Sequence, residues 1–226
     1  MKNFFCISLI FILTLFFTPL NAQVQLGLQA GLNFGDISFD PTPEGVSTSV
    51  RTGVMFGGVL FYSFTPIIGI QFEPAYVQKG AKANLSISEQ GMTAEAEETV
   101  TADYIDFPVF LKASFGEGPV KPYLMAGATL GFLLGDAKEK IDKATINGVD
   151  VTDMIPSDQR EDVLPTKSMD FILNFGAGVI IPAGKVNIFI EGQYNLGVID
   201  INDDPEDDTK VKTTGIQAKA GVLFPL

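Results

Sequence analysis

Glu73, Asp106, Lys112, Glu191 and Lys219 are charged residues set within otherwise apolar or glycine-rich segments. Buried charges are tolerated only when they are paired or hydrated. Three carboxylates and two ammonium groups in such settings could form an ion-pair network, a gated polar path or a proton-linked site. A second group is the acidic run Asp203, Asp204, Glu206, Asp207 and Asp208, preceded by Asp200. Carboxylate oxygens suit a hard divalent cation, which makes these five residues a candidate metal site. However, the spacing and central glycine of a calcium loop are missing, and Pro205 interrupts the run. A solvated acidic loop is the plainer reading; cation bridging to lipopolysaccharide and a protein partner are the alternatives.

Catalysis has little to draw on. The chain has no histidine, and its single cysteine is Cys6. Ser-His and Cys-His nucleophiles and His-ligated metals are therefore excluded. Paired carboxylates remain available, but their spacing selects no pair. The GDI and GEG segments precede no helix and so are not phosphate loops. We expect no catalytic residues and no cofactor.

The elements that must position these charges are strands. Val24, Leu26, Leu28, Ala30, Leu32 and Phe34 alternate with Gln25, Gly27, Gln29, Gly31, Asn33 and Gly35. A strict period of two over twelve residues makes a strand with one apolar face. It is long for a soluble protein and suits a tilted transmembrane strand of about 9–11 residues. Seven similar segments follow, near residues 54–62, 68–76, 104–112, 124–132, 170–179, 188–198 and 216–224. The second is the least regular, because Met55, Val59 and Phe61 fall on its polar side.

The links alternate between long and short. Asp36–Val50, Lys79–Ala102, Asp136–Lys167 and Asp200–Lys210 are long; Ser63–Pro66, Gly116–Pro119 and Pro182–Lys185 are tight. The longest either holds a short helix or extends the fifth and sixth strands. Short periplasmic turns opposite long outer loops are the pattern of outer-membrane barrels. The side of the strands opposite the apolar face is rich in Gly, Gln and Asn, as a narrow barrel interior requires. The outside of a soluble barrel would carry more Lys, Glu and Thr. The chain therefore reads as all-β, an eight-stranded antiparallel up-and-down transmembrane β-barrel.

Residues 1–22 read as a secretory signal: Lys2, the apolar run Phe4–Leu20, then Ala22 as the small residue at the cleavage point. The barrel domain is then 23–226, without cysteine. Formal charge is −12 for the whole chain, and one unit more negative without Lys2. A polyanion is a poor partner for nucleic acid.

Four segments resemble the PorT-type outer-membrane β-barrel family of Bacteroidetes: GIQFEPAYVQKGAK (69–82), YIDFPVFLKASF (104–115), KPYLMAGATLGFLL (121–134) and FIEGQYNLGVIDI (189–201). Their order and spacing carry the resemblance across nearly the whole domain. The resemblance implies an outer-membrane barrel and fixes no activity. One departure is that Phe224 is followed by Pro225-Leu226, where barrel chains usually finish on an aromatic residue.

These readings lead to a monomeric, non-enzymatic protein of the bacterial outer membrane. Its interior is plugged by polar residues and its long acidic loops face outward. Its partners are outer-membrane lipid, lipopolysaccharide and, through the loops, envelope proteins. Its role is structural or recognitive. A narrow channel, a secretion-complex component and a soluble lipocalin-like binding barrel are the alternatives.

Overall fold

The computed structural model describes residues 24–226 apart from 90 and 117; the expected signal, 1–22, lies outside the described residues. Twelve strands follow one another: β1 (Val24–Asp40), β2 (Val46–Ser63), β3 (Ile68–Phe72), β4 (Ala75–Glu89), β5 (Met92–Ser114), β6 (Lys121–Leu133), β7 (Ala137–Ile146), β8 (Val149–Asp150), β9 (Glu161–Leu164), β10 (Met169–Ala183), β11 (Val186–Gly197) and β12 (Lys210–Pro225). They build an antiparallel up-and-down ring of eight. β3 and β4 occupy one position of that ring, since both pair with β2 and β5. β7 carries β6 onward along the outer half of β5, and β9 leads into β10. The ring closes where β1 meets β12 in an unbroken ladder from Gln25↔Pro225 to Asp40↔Lys210.

Three of the four links expected to be long loops are largely strand, whereas Asp200–Lys210 remains a loop. Lys79–Ala102 forms a hairpin whose ladder runs from Ala75↔Asp106 to Glu89↔Met92. Asp36–Val50 retains only 41–45 between strands. Asp136–Lys167 extends the fifth and sixth positions of the ring and adds two short 3-10 turns, Thr152–Met154 and Ser157–Gln159. The alternation of side chains simply continues past the segments that lipid requires.

Two irregularities fall in the third position of the ring. The first is the Glu73-Pro74 break, where proline has no N–H to give. The ladder survives it because Glu73 N–H donates to the Pro108 carbonyl at 3.1 Å and Gly58 N–H to the Pro74 carbonyl at 2.9 Å. The second is a shift between β2 and β4 from Val50 to Met55. Here side chains replace the missing backbone pairs. Arg51 donates to the Lys79 carbonyl at 3.1 Å, Asn33 to the Gln78 carbonyl at 2.9 Å, and Val54 N–H to the Gln78 side-chain oxygen at 3.3 Å. Peptide groups facing hydrocarbon must be satisfied in this way.

The outward face is apolar at membrane level. Leu28 (69% exposed), Phe56 (57%), Leu111, Leu124, Phe175, Ile190 and Ile216 stand free there. A row of rings, Phe72–Phe107–Phe132, crosses three neighbouring positions with centroids 6.3 and 5.9 Å apart. Inside are Gln25, Gln29, Asn33, Asn174, Gln193, Asn195 and Gln217. The irregularity of the second strand is resolved inward: Met55, Val59 and Phe61 are buried.

Gly80 sits at φ 136°, and a Cβ there would run into the Val100 carbonyl oxygen. Gly80→Ala should therefore lower stability by about 1–3 kcal/mol. Urea unfolding of the refolded barrel in detergent, followed by the gel shift between boiled and unboiled samples, checks this. An unchanged midpoint would contradict it.

Candidate functional site

The interior is layered. At the short-turn end Val59, Phe110, Tyr123, Met125, Ile180, Phe189 and Leu223 form an apolar cluster. These residues share the inward parity with the polar ones, but each lies close to a tight turn. Outside the second strand, where Met55, Val59 and Phe61 fall on the inward side, the sequence pattern puts polar and small residues inside and does not single out this layer. The signal was present: the polar side of each strand turns apolar at Phe110, Phe189 and Leu223.

The middle layer joins four of the five predicted charges. Lys219 lies between two carboxylates, with Nζ 2.8 Å from Glu191 Oε1 and paired with Glu73 Oε2. It also donates to Gln193 Oε1 at 2.7 Å. Among the described residues no carboxylate pairs with Lys112. Its Nζ donates to Gln71 Oε1 at 2.8 Å and sits 3.6 Å from the centroid of the Tyr123 ring. Gln71 in turn donates to Glu73, and the Tyr123 hydroxyl donates to Glu191 Oε2 at 2.7 Å. Two acids and two ammonium groups thus share one hydrogen-bonded unit, and the whole unit is nearly inaccessible.

Asp106, the fifth predicted residue, belongs to a separate layer nearer the long-loop end. It pairs with Lys79 at 3.0 Å. Lys79 also reaches Asp170 at 3.3 Å and sits 4.2 Å from the centroid of the Tyr104 ring. The Thr213 hydroxyl donates to Asp170 at 2.8 Å. The sequence pattern sets Lys79 in a long link and Asp170 at the start of a strand, and no spacing joins them. The two meet because β4 and β10 face each other across the ring. This layer holds two carboxylates and one ammonium group. Its Tyr104 hydroxyl is buried without a hydrogen-bond partner.

Above it the ring opens into a cavity of about 330 Å³, walled by the outer parts of β1, β4, β5 and β7 and by residues near 201–211. A second cavity of about 480 Å³ lies at the short-turn end, beside Gln25, Phe61 and Lys121. Between them the interior voids measure about 10 and 20 Å³.

The acidic run takes a different form from a cation cage. The Asp204 and Asp207 side chains accept N–H groups of Glu206 and Thr209 at 2.9 Å each. Among the described residues no three carboxylates converge as a metal-holding group. Asp203 and Asp208 extend the same exposed segment. Its anchor is Asp200, which accepts the N–H of Asn202 at 3.0 Å and of Val211 at 2.9 Å and pairs with Lys167 at 3.0 Å. Burial alone would raise the Asp200 carboxyl. The Val211 and Asn202 N–H groups and the Lys167 ammonium outweigh that and hold it below the ordinary range.

Two predictions follow from this geometry. Lys219→Met strands Glu73 and Glu191 in a buried layer, and should cost about 3–5 kcal/mol. Glu73→Gln in the same chain should recover part of the loss. Urea midpoints of the barrel refolded into lipid vesicles test both, and additive losses in the double variant would refute the shared unit. For Asp200 the folded state holds the carboxyl low, so its contribution is present above the ordinary value of about 3.9 and is lost as pH falls through the folded value. Hydrogen exchange at Asn202 and Val211 should accelerate as pH drops below about 4 beyond the intrinsic trend. Asp200→Asn should show the same loss of protection at neutral pH.

Residues 20–203 match the family of the outer membrane protein beta-barrel domain. No curated protein matches the sequence. Among solved structures the chain is similar to Neisserial surface protein A (NspA), with 16% identity, 88% of this chain and 96% of that chain covered, and a TM-score of 0.41. It is similar to the outer membrane protein OprG from Pseudomonas aeruginosa, with 13% identity, 91% and 95% coverage, and a TM-score of 0.48. It is also similar to the outer membrane protease OmpT from Escherichia coli, with 9% identity, 90% and 97% coverage, and a TM-score of 0.41. The match over most of the sequence, on a closed ring with an apolar outer belt, shows that the chain belongs to the outer membrane protein beta-barrel domain family and lies in the bacterial outer membrane.

Proposed function

We propose that this protein is a non-enzymatic barrel whose interior is closed by its own side chains, and that its structural or recognition role in the cell envelope is carried by the part that stands above the membrane. The observation that carries this reading is the interior itself. Between the two end cavities the interior shows small voids of about 10 and 20 Å³ among packed side chains. One water needs roughly 10–15 Å³ and several polar partners, so voids of this size have no room for a hydrated ion. An eight-stranded ring is just wide enough for its own side chains, and here the Lys219 and Lys79 layers and the apolar cluster fill it.

Residues 1–22 act as the export signal in this reading, and mature protein begins at Gln23. Within its family the chain stands with the PorT-type barrels, on the four segments quoted above. It works as a monomer, with lipid around the belt, lipopolysaccharide around the outer wall and envelope proteins as further partners. The acidic segment 200–208 is a solvated surface of that outer wall.

Purified protein inserted into planar lipid bilayers should show no resolvable unitary conductance, while the same preparation shows the boiled-versus-unboiled gel shift of a folded barrel. Discrete conductance steps from such a folded sample would replace this reading with a narrow channel.

A further inference from the structure

We propose that the outer cavity is a binding site for a small apolar molecule that carries a positively charged amine. This rests on reading the outer end as the recognitive part of the molecule. It does not depend on whether ions cross the barrel.

The first ground is an inversion of side-chain polarity. Below Tyr104 the strands point apolar residues out and polar residues in. Above it, Glu98 and Glu139 apart, the inward positions of the wall strands are largely apolar: Ile37 and Phe39 on β1, Ala83 and Leu85 on β4, Val100 and Ala102 on β5. The outward positions there are polar, among them Ser38, Lys82, Asn84, Lys138 and Lys140. That is the arrangement of a barrel in water with an apolar interior. Such an interior is normally filled by side chains or by a ligand. Here a cavity of about 330 Å³ remains, within the usual range of about 300–1,000 Å³ for small-molecule sites.

The second ground is charge. Glu98 and Glu139, from the neighbouring strands β5 and β7, both line this cavity. No ion pair among the described residues involves either. Burial raises both carboxyls above the ordinary range, and for Glu139 the nearby Glu98 and Asp162 add to it. Two half-buried carboxylates in an apolar wall lack the cation that would offset their desolvation.

The third ground is the floor, made by the Lys79 layer. It holds two carboxylates, Asp106 and Asp170, against one ammonium. Tyr104, which lines the cavity and is 1% exposed, has a hydroxyl with no partner. An amine whose hydrocarbon body fills the cavity would supply the missing positive charge.

The test uses three probes of one shape and different charge: 1-aminoadamantane, 1-adamantanol and adamantane-1-carboxylate. Each is titrated calorimetrically into the full-length barrel in lipid nanodiscs, with empty nanodiscs subtracted. The amine should bind saturably and about tenfold more tightly than the alcohol, as a charge-assisted hydrogen bond implies, with the carboxylate weakest. The double variant Glu98→Gln, Glu139→Gln should remove the advantage of the amine over the alcohol and leave alcohol binding in place. Ala83→Phe and Ala102→Phe, made separately, should abolish binding of all three by filling the cavity. Variants are first checked for folding by the gel shift. The glutamine pair changes no volume and decides the matter if either phenylalanine variant misfolds. No saturable binding above empty nanodiscs, equal affinity for amine and alcohol, or an amine preference that survives the glutamine pair would each overturn the proposal. Conductance steps with this binding intact would remove the closed-barrel reading alone.

Discussion

Hydrocarbon cannot hydrogen-bond, so a chain that crosses it must pair its peptide groups with one another. For strands this means a ring, and a ring has no free edge only if its first and last members meet. Here the two ends of the domain do so, from Gln25↔Pro225 to Asp40↔Lys210. The same demand explains the repairs at the third position of the ring. Pro74 cannot donate, and the shift between Val50 and Met55 removes regular pairs. Arg51, Asn33 and Gln78 take over with side-chain bonds to the backbone. Such irregularity is a liability in lipid. It is confined to the third position of the ring and its contact with β2, where Glu73 turns inward to reach Lys219.

A ring this small has no lumen to spare, and what fills it has to be compatible with strands whose other face is committed to lipid. The inward positions can be polar only if their polar groups find one another. The Lys219 unit satisfies this with two acids, two ammonium groups and the amide and hydroxyl groups of Gln71, Gln193 and Tyr123. Lys112 shows how nearly complete the arrangement is: with no carboxylate paired to it among the described residues, it rests on an aromatic face 3.6 Å away, an interaction that strengthens when desolvated. Removing one member of such a unit exposes the others to burial without compensation, which costs more than the intact unit contributes.

Much of the ring was legible in the sequence, because period two and the alternation of link lengths are local signals. The five charges picked out by parity lie inside, together with Lys79 and Asp170, which the sequence pattern does not single out. Their grouping was not legible. Lys79 joins Asp106 and Asp170 only because residues far apart in sequence meet across the ring, and no spacing encodes that. The outer strands were read as loops for a related reason. Beyond the membrane, the apolar face that marked each strand disappears from the outside, so Lys79–Ala102 and Asp136–Lys167 carry a mixed pattern. The apolar layer at the short-turn end was hidden in turn by proximity to Ser63, Gly116 and Gly184, where a few apolar residues look like strand termini.

The change of pattern at Tyr104 follows from a change of solvent along a single strand. β5 spends its lower half with Phe107, Val109 and Leu111 toward lipid and Asp106, Phe110 and Lys112 inward. Its upper half meets water, and there the stable choice reverses: Thr99 and Thr101 face out while Val100 and Ala102 face in. Because parity does not slip, the reversal occurs by composition and not by a bulge in β5, so its ladder to β4 runs unbroken across the boundary. The price is a wall that encloses apolar surface it does not fully fill. A protein with only a structural role would gain by closing that space with larger side chains than Ala83 and Ala102, since unfilled apolar volume costs stability. Small residues around an open cavity, with two carboxylates on its side that no ion pair among the described residues engages, suit the amine site proposed above better than they suit a packed core.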